Sequence, residues 1–279
     1  MSYKTIVVHL DHTTRCAERV QLAAQLALRE QAHLVGAAFS GLSPYFYAGA
    51  GMGVVELPLA APLEEMQRRA EMAIDNFLTT VPRLGVQSYE GRLVRDEAGV
   101  GMNLQARYAD LVVIGQTDGS DVVPGELPDF PSYVMMHSAR PLLLVPSKGH
   151  FADLGDRPLV AWNASREATR ALASALPLLK KASMVDVVII NAYEEPDMHG
   201  EQPGADIGLY LARHGVKVDV HNLATELDTG NALLSLAADL SSDMLVTGGY
   251  GHSRFREILL GGATRTLFNN MALPLWLAH

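Results

Sequence analysis

The run Asp243-Met-Leu-Val-Thr-Gly-Gly-Tyr-Gly-His252, continued by Ser253-Arg-Phe-Arg-Glu-Ile-Leu-Leu-Gly-Gly-Ala-Thr-Arg-Thr-Leu267, decides how the chain is read. Met244 to Val246 is a short apolar run, the pattern of a buried strand in a parallel sheet. Gly248, Gly249 and Gly251 end it and permit sharp or left-handed turns. Gly261 and Gly262 then lead into Ala263, Thr264 and an amphipathic run to Asn269, which places this second glycine pair at a helix start. Free N–H groups and the positive end of the helix dipole make such a place an anion site. Bare main chain can approach a phosphate chain there, and Thr264 can add a hydroxyl donor. No Gly-Lys-Ser/Thr follows and the spacing is not G-x-G-x-x-G, so neither common nucleotide loop applies. From spacing alone, a phosphate cradle and an ordinary strand-to-helix turn both remain open.

Working outward, 279 residues suit about two domains on a prior of roughly 100–200 residues each. A composition of 48% hydrophobic and 19% charged residues provides for real cores. The net charge of −9 and the lack of a dense Lys/Arg stripe argue against a nucleic-acid partner. Cys16 is the single cysteine, so no internal disulfide can form, which fits a reducing compartment. The strand pattern begins almost at once, leaving no room for a signal peptide, and no apolar run approaches the roughly 18–20 residues of a membrane span. The expectation is a soluble cytoplasmic protein with no membrane partner.

Thr5 to Leu10 reads as a buried strand, followed by a helix capped by Thr13 or Thr14 and running to about Glu30. Further strands are expected at His33 to Phe39, Val86 to Val94, Leu111 to Ile114 and Pro141 to Val145. Helices fall at Leu63 to about Val81, at Glu97 to Tyr108 and before Ser138, and Ser40 to Pro62 is a loop. The second half repeats this. Its strands are Leu159 to Trp162, Val185 to Ala192, Val216 to Leu223, Met244 to Val246 and Leu273 to Leu277. Its helices follow Ser165, Asp206, Thr229 and Gly261. Asp110-Leu-Val-Val-Ile-Gly matches Asp243-Met-Leu-Val-Thr-Gly at an offset of 133 residues, and Ala139-Arg-Pro-Leu matches Ala272-Leu-Pro-Leu at the same offset. The chain therefore reads as a tandem duplication: residues 1–147 and 157–279, joined by Ser147 to Arg157. Strands alternating with helices imply an α/β class with mostly parallel sheets covered on both faces. Ligands in such sheets sit at the carboxyl ends of strands, where strand order switches.

These residues resemble the universal stress protein family in its tandem two-domain form, over nearly the whole chain. The most specific part is Gly248-x-x-Gly251-x9-Gly261 followed by a small residue, similar in spacing to the family's ATP-binding pattern. The resemblance implies two Rossmann-like five-stranded sheets, packed face to face as an intrachain pseudo-dimer. Pro141 to Val145 and Leu273 to Leu277 would be the edges that pair, and two such chains could pair again as a homodimer. It also implies ATP as the ligand, with or without Mg²⁺. Thr247, Gly248, Tyr250 and Gly251 would wrap ribose and phosphates from one side, and Gly261, Gly262, Ala263 and Thr264 from the other. Ala161, Trp162, Asn163 and Ala192 would line the adenine. The family usually has Ser or Thr in place of Gly262 and Asp in place of Asn163.

In the first copy Asp11 stands at the Asn163 position, whereas the 133-residue offset puts Asp118, Pro128 and Asp129 at Gly251, Gly261 and Gly262. Proline lacks an N–H, and carboxylates, with Glu126 and Asp121 nearby, repel phosphate. The first copy is expected to have lost nucleotide binding. His9, His12 and Cys16 do not have a metal-ligand spacing, and His9 reads as a core histidine. His252 lies inside the phosphate loop, Glu257 reads as an exposed helix charge, and Gly49-Ala-Gly-Met-Gly53 as a lid or interface loop. No nucleophile elbow is present, so no catalytic residue is assigned. The leading expectation is a stress-response factor that senses ATP. A slow ATPase using the same site, and a nucleotide-free module binding a protein partner or hydrophobic ligand, are the alternatives.

Overall fold

The computed structural model describes residues 2–41, 60–119, 127, 129–152, 154–194, 201–250 and 262–279. They fall into two compact units, Ser2–Arg140 and Pro141–His279.

In the first unit, strands β1 (Thr5–Leu10), β2 (His33–Phe39), β3 (Tyr89–Val94) and β4 (Leu111–Gly115) take the order β3-β2-β1-β4, all parallel. Helices α1 (Cys16–Glu30), α2 (Ala60–Thr80), α3 (Ala98–Ala106) and α4 (Phe130–His137) complete it. β1 and β4 are almost wholly buried, as strands covered on both faces must be. Of the stripe Val20, Ala23, Ala24, Ala27 and Leu28 that the spacing predicts on α1, the first four are buried and Leu28 is 46% exposed. The cap of α1 differs from expectation. Arg15 takes that position with no side-chain capping bond, and the Thr13 hydroxyl donates to Asp11 Oδ1 at 2.5 Å instead.

In the second unit the order is β5-β10-β9-β6-β7-β8, made of β5 (Leu142–Val145), β6 (Pro158–Ala161), β7 (Val185–Ile190), β8 (Val218–Leu223), β9 (Met244–Gly248) and β10 (Leu275–Ala278). Its helices are α5 (Arg166–Leu179), α6 (Ala205–Arg213), α7 (Thr229–Asp239) and α8 (Gly262–Asn270). All neighbours here are parallel except β5 and β10, which pair antiparallel with Leu275 opposite Leu144 and Leu277 opposite Leu142.

The α/β class and the pairing of the two closing strands match expectation. β5 comes from the first copy by sequence, and the boundary between the compact units at Pro141 groups it with the second. The reason is an edge. β9 satisfies one side of β10, and the fully buried apolar strand β5 satisfies the other, whose N–H and C=O groups would otherwise go unpaired. Trp276 on β10, fully buried, is held by its indole N–H donating to Ser174 Oγ on α5 at 2.9 Å. Among the described residues no helix is long and apolar enough to cross a membrane.

Candidate functional site

The strand order of the second unit switches at β6, which has β7 on one side and β9 on the other. The space outside the carboxyl ends of β6 and β9 is where such sheets take ligands, and most of the expected residues gather there. Ala161 ends β6, and Trp162 donates its N–H to Val188 O at 2.9 Å. Asn163 is exposed and accepts the Ser165 N–H at 3.2 Å, while Ser165 caps α5 by accepting from Ala168 N at 3.1 Å. Ala192 lies past the end of β7 rather than in it. The strand stops at Ile190, Asn191 turns left-handed (φ 50°), and a short 3-10 turn, Ala192–Glu194, follows. The Asn191 carboxamide then clasps Thr225 through two bonds of 2.9 Å, donating to its carbonyl and accepting from its N–H.

On the other side, Thr247 and Gly248 close β9. A Cβ on Gly248 would lie 2.5 Å from the backbone nitrogen of Ala168, so only glycine lets this strand end press on the first turn of α5. Gly249 donates to Ala278 O at 2.9 Å. Tyr250 is left-handed (φ 53°), and its N–H reaches Thr264 Oγ1 at 3.3 Å while its ring meets Phe268 edge-on. Thr264 is buried, so its hydroxyl ties the exit of β9 to the start of α8. Ala263 is half-buried; Gly262 is exposed, and a Cβ there would meet nothing within 4 Å. Gly251, His252, Glu257 and Gly261 lie outside the described residues, as do Asp121, Glu126, Pro128 and the Gly49–Gly53 loop.

The first unit can be compared position by position. Ile6 pairs with Leu111 as Pro158 pairs with Met244, so β1 and β6 correspond at an offset of 152 residues. His9, Arg19 and Phe130 therefore correspond to Ala161, Ala171 and Ala263, the last at the offset of 133 residues. Three large side chains in one copy are three alanines in the other. Arg19 is 2% exposed, donates from Nε to His9 O at 2.8 Å and from Nη2 to Asp11 Oδ2 at 2.5 Å, and would meet a Cβ on Gly115 at 2.4 Å. The His9 ring packs on Phe130 with centroids 4.8 Å apart. The first copy thus fills the ends of β1 and β4 with its own side chains.

Burial lowers the His9 pKa to about 3 despite Asp11 nearby, so the ring is neutral at pH 7. Burial pushes the Asp11 carboxyl up, but Arg19, His9 and the Thr13 bonds more than reverse this and hold it well below the usual carboxylate range. Burial likewise raises the Cys16 thiol above its ordinary value. Nothing in the sequence spacing singles out Arg19 or Phe130. The signal that could have found them is the alanine at each matching position of the second copy.

No family model matches the sequence, and no curated protein matches it. Solved structures do. A universal stress protein from Archaeoglobus fulgidus DSM 4304 superposes with a TM-score of 0.75 at 14% identity, covering 98% of this chain and 95% of its own. A functionally unknown protein from Pseudomonas aeruginosa PAO1 superposes with a TM-score of 0.62 at 13% identity, covering 99% of this chain and 92% of its own. The chain has the universal stress protein fold along its full two-domain length.

Proposed function

We propose that the protein binds ATP, with or without Mg²⁺, at the carboxyl ends of β6 and β9, and acts in the cytoplasm as a nucleotide-responsive stress factor rather than an enzyme. One observation carries the reading: Ala161, Ala171 and Ala263 replace His9, Arg19 and Phe130, leaving the second copy without the side chains that fill the first. The first turn of α8, opened by exposed Gly262, then offers N–H groups and a positive dipole end to phosphate. Gly251 and Gly261 supply further bare main chain by sequence. The exposed Asn163 carboxamide has a donor and an acceptor to offer an adenine edge.

The test is calorimetric titration of the full chain with ATP, with and without Mg²⁺. One site per chain is expected. Gly262→Asp, which places there the carboxylate that the first copy carries as Asp129, should weaken binding at least tenfold. Asp11→Ala should leave binding unchanged. Absence of heat from the unaltered chain, or loss of binding in Asp11→Ala alone, would overturn the reading.

A further inference from the structure

At the amino ends of the strands, opposite the crevice, a second set of groups converges. Asp186 is the second residue of β7 and Asp219 the second of β8, directly paired in register; His221 lies two residues further along β8. Residues two apart on a strand share a face, and register partners share it too. The three side chains therefore meet: His221 Nε2 is 2.8 Å from Asp186 Oδ1 and 3.8 Å from Asp219 Oδ2. One ligand atom from each lies within 4.8 Å of the others. Along the chain nothing marks Asp186 as a companion of the Asp219-Val-His221 triplet; strand register does.

We propose that Asp186, Asp219 and His221 bind one divalent transition-metal ion of the zinc type. Metal–nitrogen and metal–oxygen bonds of about 2.0–2.2 Å put neighbouring ligand atoms roughly 3.0–3.5 Å apart. The separations of 2.8 and 3.8 Å flank that range, so small side-chain rotations seat an ion. The donor set of one imidazole and two carboxylates suits zinc and its neighbours better than magnesium or calcium, which take oxygen alone.

The surroundings fit. Asp186 is 1% exposed, and Arg157 Nε donates to its Oδ2 at 3.1 Å, which leaves Oδ1 toward His221. A ligating carboxylate oriented by an outer hydrogen-bond donor is the usual second layer of a metal site. Arg157 already answers the charge of Asp186. The additional carboxylate of Asp219, largely exposed on the last strand in the order, is what a divalent ion would use. Three protein ligands leave a position for water, and β8 being outermost gives the ion a route in.

The test uses the full, untagged chain after chelator treatment and dialysis. Zn²⁺ is titrated by calorimetry, and Co²⁺ by visible absorption. One equivalent is expected, with an intense tetrahedral or five-coordinate cobalt band. His221→Ala should reduce affinity at least a hundredfold and Asp219→Asn at least tenfold, both removing the band. Circular dichroism checks folding of His221→Ala; should that variant unfold, exposed Asp219→Asn decides alone. Gly262→Asp should leave metal uptake unchanged, which separates this site from the nucleotide site. No uptake by the unaltered chain, or uptake unchanged in Asp219→Asn, would overturn the proposal.

Discussion

Arg19 brings a full charge into the interior of the first unit, and Asp11 meets it at 2.5 Å. Removing one partner of a buried pair leaves the other uncompensated, a loss of about 3–5 kcal/mol. Arg19→Met should lower the unfolding free energy by that amount in urea titrations, and the further change Asp11→Leu should restore part of it. The same cluster fixes an acid response. His9 is neutral when folded, with a pKa of about 3, and an unfolded imidazole titrates near about 6.5. Between those values the unfolded chain holds the extra proton, so stability falls as pH falls, by up to about 1.4 kcal/mol per unit. Asp11, depressed below its unfolded value, contributes stability above about pH 4 that is lost on further acidification. Urea midpoints measured from pH 7.5 to 4 should decline, and His9→Leu should flatten the decline between pH 6 and 4. His9 was legible in the sequence as a core histidine because it sits in a strand pattern. Its packing on Phe130, over 100 residues away, was not, since only the fold brings the ends of β1 and the start of α4 together.

The contact that shapes the second site joins the end of β9 to the start of α5. Gly248→Ala would push a methyl to 2.5 Å from backbone, which cannot rotate away, and overpacking of this kind costs about 1–3 kcal/mol. A lowered thermal midpoint is expected, with ATP affinity falling as the strand end shifts. Ser165→Ala should cost less, about 1 kcal/mol, because it removes one cap bond and no packing. Both elements were readable in advance: Met244 to Val246 from its apolar run, and α5 from Ser165 followed by a helical stripe. The cap of α1 departs from the sequence expectation because a threonine before a helix can use its hydroxyl elsewhere, and Thr13 donates it to Asp11. Ala192 falls outside the strand that its apolar run suggests, because such a run does not announce a left-handed residue such as Asn191.

For the whole molecule, the repeat was legible from two motifs at one offset, and with it the fold class. The pairing of the two closing strands was expected only through the family resemblance, since a repeat pattern alone does not say which edges meet. Hydrogen bonding places Leu142–Val145 beside Leu275–Ala278, as that resemblance implies. A fragment of residues 141–279, which keeps the β10 edge covered by β5, should therefore self-associate less than a shorter one that lacks β5. One of residues 157–279, with the β10 edge bare, should self-associate in light scattering. The stretch between β5 and β6 holds Gly149 and Gly155, both with positive φ, at the junction of the two copies. A protease that severs the backbone there would not release two halves. The β5 ladder would keep the nicked pieces together as one particle through gel filtration, and they would part only when denaturant melts that ladder.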